Sequence, residues 1–185
     1  MYKRISNETI NAIKDGAVVE LGANAEIKIN GKSVVVTIDG KESIYRKDNY
    51  TESKLVEYIN MLINHNNHTK LYDIINTIFT EMDYNRTFEF GGFTLGLAET
   101  EDDNVWWEKG IYVIPTDAKE EDGDWDWSEA TDYTIEPYFR TYADLLRGDR
   151  DIIGDMTNLI LRDMETVAPF LSTGGTTVTH KTVVE

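Results

Sequence analysis

The chain has 185 residues, no cysteine, and 18 basic against 34 acidic side chains, a formal charge of −16. Without cysteine it has no disulfides, thiolate metal sites or cysteine nucleophiles, and a charge of this size opposes binding to nucleic acid or anionic membrane while favouring encounter with cationic surfaces. An apolar fraction of 41% with 11% aromatics is enough to build an ordinary core at this length.

The first residues, Met1 to Glu8, are polar. No apolar run reaches the ~18 residues of a membrane span, so a soluble, cytoplasmic chain is expected. After Ile5, Ser6 and Asn7 offer N-caps to a short helix carrying Ile10 and Ile13, closed by Gly16. Ala25, Ile27 and Ile29 alternate with Glu26 and Lys28, and Asn30-Gly31 reads as a two-residue turn. That turn sets Ile29 against Lys32, Ile27 against Val34 and Ala25 against Val36. Asp39-Gly40 marks a second turn into Ser43, Ile44 and Tyr45, with a loop length that the pattern leaves open.

From Thr51 the period becomes helical, with Leu55, Val56, Ile59, Leu62 and Ile63 on one stripe and a capping box formed by Asn49 and Glu52. The polar run Asn64-His65-Asn66-Asn67-His68 is expected to end this helix. A second helix follows on Leu71, Ile74, Ile75, Ile78, Phe79 and Met82, making a helical hairpin.

Phe88 and Phe90, the Gly91-Gly92 turn, then Phe93, Leu95 and Leu97 predict a β-hairpin that pairs Phe90 with Phe93 and Phe88 with Leu95. A further strand or hairpin is expected over Val105 to Trp107 and Ile111 to Ile114, stopped by Pro115, and a short strand at Tyr133 to Ile135. Two helical stripes, Tyr138 to Leu146 and Ile152 to Val167, form a second helical hairpin, ended before Pro169. The segment after Gly174-Gly175 is either disordered or an added strand. This order gives an α+β fold, an antiparallel β-meander and hairpins packed with two helical hairpins. The expected organisation is one domain over 1–172, with a possible division near 83–86, and a flexible or strand-adding tail over 173–185.

The function-bearing stretch runs from Glu99 to Glu136, where fourteen carboxylates face only Lys109 and Lys119 and all four tryptophans lie. About −12 of the chain's −16 is therefore gathered in a fifth of its length, which solubility alone does not require. In Asp122-Gly123-Asp124-Trp125-Asp126-Trp127, an extended backbone sets the three aspartates on one side and both tryptophans on the other. Spaced carboxylates of this kind imitate a phosphate backbone, and tryptophans are common interface anchors. The candidate partner-binding residues are Asp102, Asp103, Trp106, Trp107, Glu120, Glu121, Asp122, Asp124, Trp125, Asp126, Trp127 and Glu129. The competing structural reading is a solvated loop whose tryptophans turn inward.

Asp122, Asp124 and Asp126 also have the alternate spacing of calcium loops, but Trp127 stands where glycine is needed and Tyr133 where the closing glutamate belongs. His65 and His68, three apart, have no carboxylate beside them and belong to the polar run. No nucleophile elbow, Walker loop, zincin motif or dinucleotide fingerprint occurs. The leading expectation is a non-enzymatic acidic protein without cofactor. It would block a cationic, nucleic-acid-binding surface of a partner protein and make no direct contact with nucleic acid or membrane, as an inhibitor of the kind used in phage counter-defence or immunity. A divalent-cation module or metal-dependent hydrolase using the Asp122, Asp124 and Asp126 cluster is the alternative, and a structural subunit whose tail adds a strand to a neighbour is a third.

Overall fold

The structure, a computed structural model, describes residues 1–102, 106–118, 123–134, 151–167 and 177–179. In chain order its elements are α1 (Asn7–Lys14), β1 (Val18–Gly22), β2 (Ala25–Asn30), β3 (Ser33–Ile38), β4 (Lys41–Arg46), a 3-10 turn (Lys47–Asn49) and α2 (Glu52–Glu81). Next come β5 (Thr87–Phe90), β6 (Phe93–Asp102), β7 (Trp106–Pro115), a 3-10 turn (Trp127–Glu129), β8 (Thr131–Thr134), α3 (Ile152–Val167) and β9 (Thr177–Thr179). The strands form two sheets, β4-β3-β2-β1-β9 and β5-β6-β7-β8, antiparallel at every pairing. This is an α+β fold. The chain divides into two compact units, Met1–Asn67 with Glu165–Glu185, and His68–Met164.

In the first unit the turns fix the register. The β2–β3 loop is Gly31-Lys32, one residue later than expected: Asn30 pairs with Ser33, Ile29 with Val34, Ile27 with Val36 and Ala25 with Ile38. Gly31 supplies the positive φ of 57° at the first loop position, as in glycine-first hairpin loops. The shift moves each partner by two residues, so the same side chains still share a face and only their pairing changes. Asp39-Gly40 is a two-residue loop with φ of 49° and 78°, which pairs Val34 with Tyr45 and leaves Ile44 on the opposite, solvent-exposed face. β1 alternates in the same way and buries Val19 and Leu21. Thr177–Thr179 of the tail forms β9 and pairs with β1, Val19 opposite Val178.

One sheet face is the core. Val19, Leu21, Ile27, Val34, Val36 and Ile38 pack with Ile10 and Ile13 of α1 and with Leu55, Ile59 and Ile63 of α2. α1 begins after Ser6, whose N–H donates to Thr9 Oγ1 at 3.2 Å, and ends ahead of Gly16 at φ 93°. At the start of α2 the cap is Thr51, whose carbonyl accepts from Leu55 N at 3.0 Å and whose hydroxyl accepts from Lys54 N at 3.4 Å. Asn49 lies in the preceding 3-10 turn, so the expected Asn49–Glu52 box does not form.

The first helical hairpin is corrected by α2, which runs for 30 residues without a break through Asn64 to His68. No glycine or proline interrupts it, and asparagine or histidine inside a helix costs only about 0.6 kcal/mol relative to alanine. The polar side chains are used instead as partners for the N-terminal segment. Asn67 Oδ1 accepts from Tyr2 N at 2.7 Å while its Nδ2 donates to Tyr2 O at 2.9 Å. Asn60 does the same with Ile5 N and O, at 2.8 and 3.0 Å, and Asn64 Oδ1 accepts from Arg4 Nε at 3.0 Å. Asn67 is buried and continues the stripe of Leu55, Ile59 and Ile63 at the same four-residue step.

Two side-chain amides thus satisfy four backbone groups of a segment whose Tyr2 and Ile5 are core residues. Lys3 N donates to Leu21 O at 2.7 Å, tying the segment to β1 as well. The second expected hairpin is represented by α3 alone, because 138–146 lies outside the described residues. α3 starts from Asp151, whose Oδ1 accepts from Gly154 N at 2.9 Å, and buries Ile153, Met156, Ile160 and Met164. No described helix is long and apolar enough to cross a membrane.

Replacing Asn67 with Ala strands the buried N–H and C=O of Tyr2, each worth roughly 1–3 kcal/mol when unpaired. The expected loss is about 2–4 kcal/mol, or on the order of 5–10 °C in Tm for a chain of this size. Asn66→Ala, which removes only an intrahelical bond to Leu62 O, is expected to change Tm by no more than about 2 °C. Equal effects of the two substitutions in thermal denaturation would show that the amide clamp contributes nothing special.

A candidate acidic interaction surface

In the second unit β6 and β7 are ten residues each and pair along their whole length, from Phe93 with Pro115 to Asp102 with Trp106. Of the strand or hairpin expected over this stretch, the single strand is what forms, from Trp106 through Ile114 to Pro115; Val105 lies outside the described residues. β5 borders β6 only from Phe93 to Gly96, and β8 borders β7 only from Gly110 to Val113. Beyond those limits Glu99 pairs with Lys109, Thr100 with Glu108, Glu101 with Trp107 and Asp102 with Trp106, with no further strand on either side among the described residues. A two-stranded ribbon of four pairs, on the order of 14 Å long, so continues past the four-stranded sheet. It carries Asp102, Trp106 and Trp107 of the candidate residues at its far end. Asp103 lies outside the described residues.

The acidic loop returns to the sheet near the other end of β7. Thr116 N donates to Gly92 O at 2.9 Å, and Asp126 N donates to Ala118 O at 3.2 Å, closing the segment on itself. Glu120, Glu121 and Asp122 lie outside the described residues. The extended, two-sided arrangement expected for this stretch does not hold where it is described. Gly123 takes φ 91°, and Asp126 Oδ1 accepts from Ser128 N at 3.1 Å and Ser128 Oγ at 2.6 Å, starting the Trp127–Glu129 turn. Aspartate two residues before serine favours this local bonding over an extended chain. Asp124 and Glu129 are exposed, whereas Trp125 and Asp126 are half-buried.

Trp127 is 56% exposed, so it is presented rather than used as core. Its ring stands edge-on to Tyr112 of β7, centroids 5.2 Å apart at 77°. Tyr112 in turn lies across Gly96, its direct partner in β6, where a Cβ would fall only 2.6 Å from the Tyr112 ring Cε1. Glycine at position 96 thus makes room for Tyr112, and Tyr112 seats Trp127. Partial burial raises the Tyr112 pKa. On β8, burial first and the Asp163 carboxylate second push Tyr133 up to about 12, with its hydroxyl donating to Asp163 Oδ2 at 3.3 Å. Gly96 stands in the hairpin pattern as a glycine serving turn and packing needs, and Tyr112 is the neighbour it makes room for; a glycine inside an otherwise apolar strand marks such a close approach.

Charge divides with the fold. Residues 1–67 hold nine basic and nine acidic side chains, a balance of zero. His68–Met164 holds 8 basic and 23 acidic ones, a balance of −15. Ion pairs between described residues of this unit include Arg86 with Glu81, and Arg162 Nε with Asp163 Oδ1 at 3.2 Å. Eight cations cannot neutralise 23 carboxylates whatever their placement.

A smaller acidic feature, assembled across strands and so invisible in linear sequence, crosses the outer face of the first sheet. Glu20 pairs with Glu26, Glu26 with Thr37 and Thr37 with Glu42. Lys28 relieves the row by pairing with Glu26 at 2.7 Å, a bond that raises the lysine pKa. The Thr37 hydroxyl is buried there without a partner. Among the described residues no group of three or more histidine or acidic side chains is arranged to hold a metal ion. His68 stacks on Tyr72, centroids 6.3 Å apart.

Gly96→Ala is expected to displace Tyr112 and release Trp127, seen as a change in the near-ultraviolet circular dichroism of the aromatic rings together with a lowered Tm. Trp127→Ala should lose the same aromatic signal yet cost no more than about 1 kcal/mol, since more than half of the ring is already in water. An unchanged aromatic spectrum in Gly96→Ala would contradict the stacking order.

The chain matches no protein-family model, no curated protein and no solved structure.

Proposed function

We propose that this protein is a non-enzymatic acidic inhibitor that occupies a cationic groove of a nucleic-acid-handling partner, its carboxylates taking the place of phosphates. The observation that carries this reading is the segregation of charge: an excess of −15 in His68–Met164 beside a balance of zero in residues 1–67. Charge spread for solubility would be shared between the units. Two further features support it. The β6–β7 ribbon extends beyond its flanking strands with Glu99, Glu101, Asp102 and Glu108 along it against a single lysine, Lys109, and Trp127 is held half in water on a tyrosine seat, as an anchor side chain would be.

The mechanism is competition. Long-range attraction between the acidic unit and a basic groove speeds encounter and makes it dependent on salt. Docking then replaces the counterions on both surfaces, and nucleic acid is excluded because two polyanions cannot share one groove. Aromatic anchors supply the contact energy that screened charge alone does not.

Capture on the immobilised protein, followed by elution with a short DNA duplex, tests this reading. Captured proteins should bind nucleic acid in their own right and be released by the duplex or by salt of about 0.5 M, where screening acts within ~4–5 Å. Capture should fall at least about tenfold for a variant carrying Glu101→Gln, Asp102→Asn, Asp124→Asn and Asp126→Asn, changes that remove charge at nearly constant shape and leave the Asp126 oxygen able to accept from Ser128. Capture indifferent to salt, duplex and charge removal would defeat the proposal.

A further inference from the structure

The first unit contains a small cavity unrelated to the acidic surface. It has a volume of about 280 Å³ and lies where α1, the β2–β3 hairpin, the Lys47–Asn49 turn and the first turn of α2 meet. Its interior is apolar: Ile10, Val34 and Leu55 are buried and Ile29 is half-buried. One wall is the Tyr50 ring, held edge-on between Tyr45 at 6.5 Å and Tyr58 at 5.4 Å.

The polar groups at its rim do not cancel. Lys14 forms an ion pair with Glu52, so that these two charges are spent on each other. Lys47 also lines the cavity, is half-buried, and makes no ion pair or side-chain hydrogen bond among the described residues. Lys54, one turn along α2, is paired with Glu57 at 2.8 Å. The cavity therefore combines an apolar interior, an aromatic wall and one uncompensated cation, in a unit whose first 67 residues have no net charge to repel an anion.

We infer that this cavity binds a small amphiphilic monocarboxylate, with its apolar body against Ile10, Ile29, Val34 and Leu55 and its carboxylate on the Lys47 ammonium. At about 30 Å³ for each water-sized group, the volume holds on the order of nine or ten non-hydrogen atoms, which is the size of a medium-chain or aryl-alkyl acid. The apolar walls contribute by removing the ligand body from water. The lysine selects the anion over a neutral or cationic molecule of the same shape, because a charge-assisted bond at a partly desolvated site is stronger than a neutral one.

Titration calorimetry of the full chain with octanoate, octanol and octylammonium tests this assignment. Octanoate should bind with one-to-one stoichiometry and at least about tenfold more tightly than either analogue. Lys47→Met should bring octanoate down to the level of octanol without lowering Tm, and Ile29→Phe, which fills the cavity from a half-buried position, should abolish binding of all three. Failure of octanoate to bind, equal binding of the three probes, or unchanged octanoate affinity in Lys47→Met would each overturn the inference. None of these results depends on the acidic unit.

Discussion

Mutual repulsion among the carboxylates of His68–Met164 is the constraint under which that unit folds. Two unit charges held 4 Å apart in water repel by about 1 kcal/mol, and by more where protein excludes water. The same unit has only 8 basic side chains to set against 23 acidic ones. Its stability must come from the apolar contacts of Leu95, Leu97, Ile111, Val113 and the α3 stripe, all deeply buried. Such an arrangement opposes folding, and it persists most naturally where the charge itself is the useful property. On the proposed function, a cationic partner would relieve the repulsion, and docking would stabilise the unit by mass action.

The two units manage polarity in different ways. In the first, charges balance, and the notable polar device is neutral: Asn60 and Asn67 present amides that match the backbone of Ile5 and Tyr2 donor for acceptor. A neutral amide carries no desolvation cost comparable to a buried ion, so it can sit within a hydrophobic stripe when both of its ends are bonded. In the second unit charged side chains dominate the polar groups. There the ribbon strands run past their neighbours, and the loop after Gly123 is held by Asp126 and Ser128 rather than by a strand.

Much of this fold was legible in the residue pattern, and the failures have identifiable causes. Period-two alternation and glycine turns located β2 through β6, and the pairing of Phe90 with Phe93 follows directly from Gly91-Gly92. The β2–β3 register slipped because Asn-Gly and Gly-Lys both make good two-residue loops, and only the flanking pairing of Asn30 with Ser33 decides between them. The break expected at Asn64 to His68 failed for a different reason. A polar run signals a break only where its side chains lack partners, and the partners of Asn60, Asn64 and Asn67, namely Ile5, Arg4 and Tyr2, are some sixty positions away. Of the candidate surface, the clustering of charge and tryptophan was visible in sequence. The seat of Trp127 on Tyr112 over Gly96 was not, because it is built from three strand and loop positions that no local pattern connects.

Hydrogen exchange resolved by segment, compared between about 10 mM and 500 mM sodium chloride, tests the segregated charge most directly, since the Debye length shrinks from about 30 to roughly 4 Å over that range. If repulsion is concentrated in His68–Met164, amides of β5 to β8 gain protection as salt rises while those of β1 to β4 change little. Equal gains in both sheets, or none in β5 to β8, would contradict the claim that uncompensated negative charge belongs to that unit.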